Sequence, residues 1–134
     1  MSKNNMILKT VEYIEDNLEK DLNLDTISGK IGYSKFHLNR IFSETVGCTI
    51  YKYIQIRRIT EAARKLAETD KPILEIALEA NYQSQQAFTN AFSQIYYCSP
   101  QAYRGAKIFT PRLTRYTLLH TPQASISMFG GVAA

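Results

Sequence analysis

Residues 24–53, "LDTISGKIGYSKFHLNRIFSETVGCTIYKY", and residues 73–103, "ILEIALEANYQSQQAFTNAFSQIYYCSPQAY", follow one sequence pattern. At an offset of 49 the paired residues are Leu24/Ile73, Ile27/Ile76, Ser28/Ala77, Ile31/Ala80, Gly32/Asn81 and Tyr33/Tyr82. After one inserted residue, Gln83, the offset becomes 50, and the pairs are Ser34/Ser84, Leu38/Phe88, Phe42/Phe92, Cys48/Cys98, Thr49/Ser99 and Tyr53/Tyr103. Because two copies cannot build a solenoid, the pattern indicates a duplicated supersecondary unit.

Each copy predicts a helix, a tight turn and a second helix. The first helix ends at Gly32 or Asn81, because glycine and asparagine accept the left-handed backbone of a helix end. Ser34 and Ser84 are good N-caps for the second helix. Its apolar stripe is Leu38, Ile41 and Phe42 in one copy and Phe88, Ala91, Phe92 and Ile95 in the other. Its outward residues are Lys35, Phe36, Asn39, Arg40 and Ser43 in one copy and Gln85, Gln86, Thr89, Asn90 and Ser93 in the other.

Three further helices complete an all-α fold of seven helices. The segment between the copies predicts a linker helix at about 49–69, apolar at Ile50, Tyr53, Ile56, Ile59, Ala63 and Leu66, capped by Thr49 and followed by Pro72. Met6 to Leu18 is amphipathic, and Pro100 after Ser99 opens a short helix through Ala106. We expect a domain at 5–107, with helix-turn-helix units at about 25–46 and 73–96, followed by a C-terminal tail at 108–134.

Composition excludes several classes of protein. A chain that is 45% hydrophobic and 21% charged is typical of a globular domain. No apolar run approaches the roughly 20 residues of a membrane span, and no cleavable signal is visible, so we expect a cytoplasmic protein. Cys48, Cys98, His37 and His120 are too few and too scattered for a disulfide framework or a zinc cluster. We therefore expect reduced thiols, no cofactor and no metal. The sequence shows neither a Ser/His/Asp triad nor a pair of buried carboxylates, so nothing in it indicates an enzyme.

The charge is unevenly distributed along the chain. Residues 1–30 hold four lysines and six acidic residues, whereas residues 31–134 hold twelve basic and six acidic ones. After Glu79 the sequence has no acidic residue, but it has Arg104, Lys107, Arg112 and Arg115. This asymmetry suggests a polyanionic partner, although a modest basic excess is also common on solvated surfaces.

The linker helix has a length that suits two DNA-binding units. A helix of about 20 residues spans on the order of 30 Å, and one turn of B-DNA is about 34 Å. A helix-turn-helix places the N-terminal part of its second helix in the major groove. One chain could therefore place two recognition helices about one turn apart on the same face of a duplex.

The outward side chains suit this interpretation. Arg40 can donate two hydrogen bonds to guanine, the amides of Asn39, Gln85, Gln86 and Asn90 match the edge of adenine, and Phe36 can pack on thymine methyls. Phosphate contacts are predicted from the helix N-termini and from cationic side chains. The residues are Ser34, Lys35, Lys71, Ser84, Ser99, Arg104 and Lys107. A solvated polar face is the alternative for the amides.

Two other groups of residues have competing interpretations. Arg57, Arg58, Arg64 and Lys65 on the linker helix could contact phosphates, but ion pairs are favoured, with Glu61 as partner of Arg64 and Lys65. The tyrosines at equivalent repeat positions, Tyr33, Tyr82, Tyr53 and Tyr103, indicate packing.

The stretches "GYSKFHLNRIF" (32–42) and the run from Tyr53 to Arg104, with "SQQAFTNAF" and "SPQAYR", resemble the AraC/XylS family of bacterial transcription activators. The resemblance covers about residues 5–107 and is strongest to the small multiple-antibiotic-resistance, superoxide-response and right-origin-binding regulators. It implies base contacts from Phe36, Asn39 and Arg40 on the first recognition helix. On the second recognition helix it implies contacts from Gln85, Gln86, Thr89 and Asn90.

The resemblance also implies that the chain binds asymmetric double-stranded promoter DNA as a monomer, bends it and recruits RNA polymerase. Related regulators usually have Trp at the position of Phe36, Gln at the position of Asn39 and Arg at the position of Asn90. The loss of a guanidinium at Asn90 predicts a weaker contribution from the second helix. It also leaves open an alternative, a helical interaction module with decayed DNA binding that titrates polymerase or a related activator.

The tail is similar to the beginning of the effector domain of a larger family member. It has β-prone pieces at 116–119 and 125–129. Residues 108–134 are too few to enclose a ligand pocket. We expect a loosely ordered tail, with a packed hairpin or a truncated domain as alternatives.

Overall fold

A computed structural model describes residues 2–112, and within that range the chain forms seven α-helices and no strand. They are α1 (Lys3–Asp16), α2 (Leu24–Ile31), α3 (Lys35–Val46), α4 (Ile50–Glu68), α5 (Ile73–Glu79), α6 (Gln85–Tyr96) and α7 (Pro100–Ala106). The predicted all-α fold of seven helices is confirmed. The expectations for the tail from 113 onward, including the β-prone pieces, lie outside the described residues.

The first helix begins earlier than predicted. Its N-cap is Ser2, whose hydroxyl oxygen accepts the backbone N–H of Asn5 at 3.2 Å, so α1 starts at Lys3 rather than near Met6. It ends at Asp16, where the side chain of Asn17 donates to the Tyr13 carbonyl at 2.7 Å. Polar capping groups, rather than the apolar stripe, set both ends of this helix.

Both predicted turns have the expected backbone. Gly32 has φ 89° and Asn81 has φ 68°, so each repeat turns through a left-handed residue at the same position. Ser34 caps α3 by accepting from His37 N–H, and Ser84 caps α6 by accepting from Ala87 N–H. The two helix-turn-helix units therefore share their local geometry.

The helices pack as two groups joined by α4. Helices α1, α2 and α3 contact one another, α5, α6 and α7 pack in sequence, and α4 contacts α3 as well as α5, α6 and α7. The predicted apolar stripes of α3, α4 and α6 are buried, with Leu38, Phe42, Phe88 and Phe92 fully enclosed. Tyr53 and Tyr103 are buried and Tyr33 and Tyr82 half-buried against this core, as predicted for packing residues.

An ion-pair network ties α4 to α1. The side chain of Arg57 is 7% exposed, and its guanidinium donates to both carboxylate oxygens of Glu15, at 2.7 and 3.0 Å. The Tyr53 hydroxyl donates to the same carboxylate at 2.8 Å, and Arg57 also pairs with Glu61 at 3.2 Å. Burial raises the pKa of Tyr53, and the adjacent Glu15 carboxylate raises it further, so the phenol remains a proton donor.

The prediction that Lys65 pairs with Glu61 is wrong. Arg64 pairs with Glu61 at 3.2 Å as expected, but Glu61 also binds Arg57. Lys65 pairs instead with Glu19, just beyond α1, at 2.9 Å and with Glu79 on α5 at 2.8 Å.

Arg58 extends the contacts between α4 and the segment after α1. It donates to the Leu18 and Lys20 carbonyls at 2.9 and 2.6 Å. Together with the pairs of Arg57, Arg64 and Lys65, these bonds engage the cations of α4 within the protein, which favours the ion-pair interpretation over a row of phosphate contacts.

Replacing Arg57 with Ala should lower the free energy of unfolding by about 3–5 kcal/mol, because the Glu15 carboxylate stays buried without its cation. Urea denaturation followed by circular dichroism measures the change. Glu44→Ala removes the exposed Arg40–Glu44 pair and should change stability by less than about 1 kcal/mol. Equal effects of the two substitutions would contradict the proposed importance of the buried pair.

Glu79 should make folding sensitive to acid. Hydrogen bonds from Lys65 and Lys71 lower the pKa of Glu79. A lowered native pKa stabilises the fold above the unfolded value of about 4.3, and this contribution is lost as the pH falls through the native pKa. The stability difference between the wild type and Glu79→Gln should therefore shrink in acid.

The control for this experiment is Glu75→Gln, on the exposed side of α5. Melting temperatures across the acid range should show little pH-dependent difference for this variant. A constant difference between Glu79→Gln and the wild type at all pH values would rule out the proposed linkage.

Candidate nucleic-acid interface

The outward face of α3 presents an aromatic ring beside a guanidinium. Phe36 is 79% exposed, and the Lys35 ammonium lies 5.7 Å from its ring centroid. Arg40 is exposed; its Nη2 is 3.3 Å from His37 Nδ1 and its Nη1 is 3.7 Å from Glu44. The pairing with exposed Glu44 holds Arg40 along the helix without burying it, so a stronger acceptor can replace it.

The outward face of α6 is neutral and rich in hydrogen-bonding groups. Gln85, Gln86 and Asn90 are exposed and Thr89 is half-buried. The Gln86 amide donates to the Asn90 side-chain oxygen at 2.9 Å. The helix contains no acidic residue, so nothing on α6 itself repels a polyanion. These four predicted residues share one helix surface.

Three predicted phosphate-contact residues are serines at helix N-termini. Ser34, Ser84 and Ser99 cap α3, α6 and α7, each accepting a backbone N–H at 3.0–3.2 Å. All three are exposed. The remaining first-turn N–H groups of α3 point the positive end of the helix dipole outward, which suits an anion.

The four predicted cations differ in how strongly they are engaged. Lys35 pairs with Asp25 at 3.3 Å on the surface, and Lys107 is exposed at the end of α7. Lys71 pairs with Glu79 at 2.8 Å, and the Arg104 Nε donates to the Leu66 carbonyl at 3.1 Å. Lys71 and Arg104 thus already have partners within the second group of helices.

Asn39 has a structural contact that its sequence position does not reveal. Its side-chain oxygen accepts the backbone N–H of Ile50 at 3.1 Å and so satisfies an unpaired donor at the first turn of α4. The side chain is half-buried, and its NH₂ group takes no part in this bond. Asn39 therefore joins the first recognition helix to the linker helix.

Sequence reasoning also missed Tyr51. It is 76% exposed in the first turn of α4, next to the Ile50 N–H that Asn39 holds. The signal available in the sequence is that Tyr51 lies outside the apolar stripe of α4, where a large aromatic side chain has no core to fill.

The two cysteines lie among the described residues and form no disulfide bond there. Cys48 is buried and Cys98 half-buried, and both are free thiols, as predicted. Burial raises the pKa of Cys48 to about 11, which disfavours the reactive thiolate. Among residues 2–112 no cluster of His, Cys, Asp and Glu could hold a metal ion, and none of the helices there is long and apolar enough to cross a membrane.

Several known proteins are similar to this chain. A family profile described as "Helix-turn-helix domain" matches residues 27–106. The transposon Tn10 TetD protein of Escherichia coli is 43% identical over 97 residues, covering 72% of this chain and 70% of TetD. The multiple antibiotic resistance protein MarA of E. coli K12 is 42% identical over 94 residues, covering 70% of this chain and 74% of MarA.

Solved structures agree with this match. An AraC-type transcriptional regulator from Chromobacterium violaceum has a TM-score of 0.74 at 26% identity, covering 78% of this chain and 93% of its own. The DNA-binding domain of AdpA, solved with a target DNA, has a TM-score of 0.70, covering 75% of this chain and 90% of its own. Because the two sequences are 23% identical, the similarity to AdpA shows that the fold is shared and carries no conclusion about function.

Replacing Asn39 with Ala should lower the free energy of unfolding by about 1 kcal/mol, because a capping acceptor is lost from α4. Asn39→Asp keeps an acceptor and should retain most of this stability, while its charge weakens binding to DNA. Chemical denaturation and a DNA titration measure the two effects separately. If Asn39→Ala folds as stably as the wild type, the bond to Ile50 is not a stabilising cap.

Proposed function

Because the chain belongs to the AraC/XylS family of DNA-binding transcription regulators, we propose that it activates transcription by inserting α3 and α6 into successive major grooves of promoter DNA. Its role is positioning rather than catalysis. Base contacts select the site, phosphate contacts fix the register, and the bound protein recruits RNA polymerase.

The observation that carries this proposal is the pairing of two exposed polar helix faces on one rigid spacer. Helix α4 has 19 residues, which at about 1.5 Å per residue is about 28 Å. Its side chains bond to α1, to the segment after α1 and to α5, and its Ile50 N–H donates to Asn39 of α3. Because α1 also packs on α2 and α3, both units are held against α4. A spacer of this length suits major-groove segments about 34 Å apart.

In the complex, α3 contributes Phe36, Asn39 and Arg40, and α6 contributes Gln85, Gln86, Thr89 and Asn90. Arg40 exchanges the exposed Glu44 carboxylate for guanine, and the amides of α6 bind adenine edges. Asn39, whose oxygen accepts from Ile50, offers its NH₂ group as a donor. The serine-capped N-termini together with Lys35 and Lys107 contact phosphates. Lys71 and Arg104 add to the positive field at the second unit, and Lys71 must share its ammonium with Glu79.

We further propose that the active species is a monomer, located in the bacterial cytoplasm at the nucleoid. A helix-turn-helix dimer has two recognition helices because it contains two identical chains, whereas this protein has both in one chain. Since the two helices differ, an asymmetric site is expected. The alternative of an interaction module with decayed DNA binding is not favoured, since the related proteins include the AraC-type regulator from C. violaceum.

The Arg40→Ala variant tests base selection. It should bind the preferred site about 1–3 kcal/mol more weakly, with little loss on unrelated duplex, because a bidentate contact to guanine is specific to that base. The preferred site is obtained by enriching a randomised duplex library with the wild-type chain, and affinities are measured by fluorescence anisotropy.

Gln94→Ala, an exposed position on the C-terminal half of α6, serves as the matched control and should bind like the wild type. Equal losses by Arg40→Ala on both duplexes would mean that Arg40 holds a phosphate. Failure to enrich any site, with binding that barely depends on salt, would overturn the DNA-binding mechanism.

A further inference from the structure

A cleft lies between the first half of α4 and the turn that joins α5 to α6. It has a volume of about 320 Å³, and its lining includes Tyr51, Gln55 and Arg58 of α4, Gln83 of the turn and Ala87 of α6. Tyr51 follows the residue that Asn39 of α3 binds. Ala87 directly follows Gln86 on α6. The cleft thus reaches the first turn of α6 on one side, and on its other side Tyr51 is next in sequence to the residue that Asn39 of α3 binds.

The chemistry of the cleft suits a polyanion. Its lining contains no acidic residue and one cation, Arg58. The cleft on the α1 side of α4 is different, because it is lined by acidic residues of α1, α4 and α5 as well as by cations. Of these two clefts beside α4, therefore, the one next to Tyr51 has the charge that favours DNA.

Two polar side chains of this cleft are bonded to residues outside it, whereas Tyr51 is largely exposed. Arg58 is fixed to the carbonyls of Leu18 and Lys20, and Gln55 accepts from Lys52 at 3.1 Å. Burial raises the pKa of Tyr82, which also lines the cleft, to about 12. Tyr51, in contrast, is 76% exposed, so its ring and hydroxyl project from the rim.

When two helices occupy major-groove segments one turn apart on one face of a duplex, the minor groove between them faces the protein. We propose that this central cleft is a third DNA contact, in which Tyr51 packs against the sugar–phosphate backbone bordering that minor groove and donates its hydroxyl to a phosphate. The inference rests on the proposed function and extends it to the centre of the site. The contact is to the backbone, so it adds affinity without selecting a base.

The test uses the full chain and a duplex of about 30 bp, nearly three helical turns, enriched by the wild-type protein. Tyr51→Phe should weaken binding about fivefold, the size of one net hydrogen bond, both on this duplex and on an unrelated one. The dependence on salt should not change, because tyrosine carries no charge. Hydroxyl-radical cleavage should show that Tyr51→Ala loses protection of the central sugars.

A neutral methylphosphonate placed at each central phosphate in turn identifies the acceptor. One position should weaken the wild type and leave Tyr51→Phe without further loss. Tyr97→Phe removes a hydroxyl from another exposed tyrosine that does not line the cleft, and it should bind as the wild type does.

Wild-type affinity and unchanged central protection in the Tyr51 variants would overturn the third contact. If Arg40→Ala still lost affinity for the enriched duplex, the proposed function would stand. If the wild type enriched no duplex, both proposals would fail together.

Discussion

The buried pair between Arg57 and Glu15 fixes the position of α1 on the linker helix. A guanidinium that is 7% exposed must have a counter-charge, since a buried ion without a partner is strongly destabilising. Glu15 supplies that charge from α1, and Tyr53 completes the carboxylate's hydrogen bonds from the same face of α4. At the other end, Glu79 of α5 binds Lys65. These bonds help to hold the helices on both sides of α4 in place. The distance between the two recognition helices therefore depends on them.

The duplication preserves packing but not surface chemistry. Buried aromatic residues and serine caps recur at equivalent positions, because both units form the same turn and pack a similar core. Even the left-handed residues correspond: Gly47 and Tyr97 both end their helices with positive φ, although tyrosine has no preference for that region. The exposed faces have diverged instead. One carries a guanidinium and the other carries neutral amides, as expected for an asymmetric partner.

The sequence was sufficient for features governed by short-range rules. Helical spacing placed the apolar stripes, serine marked the starts of α3 and α6, and glycine and asparagine marked the turns after α2 and α5. It was insufficient where the partner lies elsewhere in the chain. The partners of Lys65 come from positions 46 and 14 residues away, and Asn39 reaches Ile50 across the loop between two helices. Only the packing angle of the helices determines such contacts. The exposure of Tyr51, in contrast, could be predicted from its place outside the apolar stripe of α4.

In the proposed complex, the neutral face of α6 discriminates bases because two of its amides are already ordered. With the Gln86 NH₂ donating to the Asn90 oxygen, the Gln86 oxygen and the Asn90 NH₂ remain as an acceptor and a donor. This is the pair that adenine requires through its N6 and N7 atoms. Since the two side chains hold each other, less rotamer entropy is lost on binding than for two independent amides. An arginine at position 90 would add charge and a stronger donor, but it would remove the acceptor that orders Gln86. In the proposed complex, the second helix thus gives up electrostatic affinity and gains a preorganised neutral pair. Arg40, Lys35, Lys107 and the helix N-termini then supply most of the attraction to DNA.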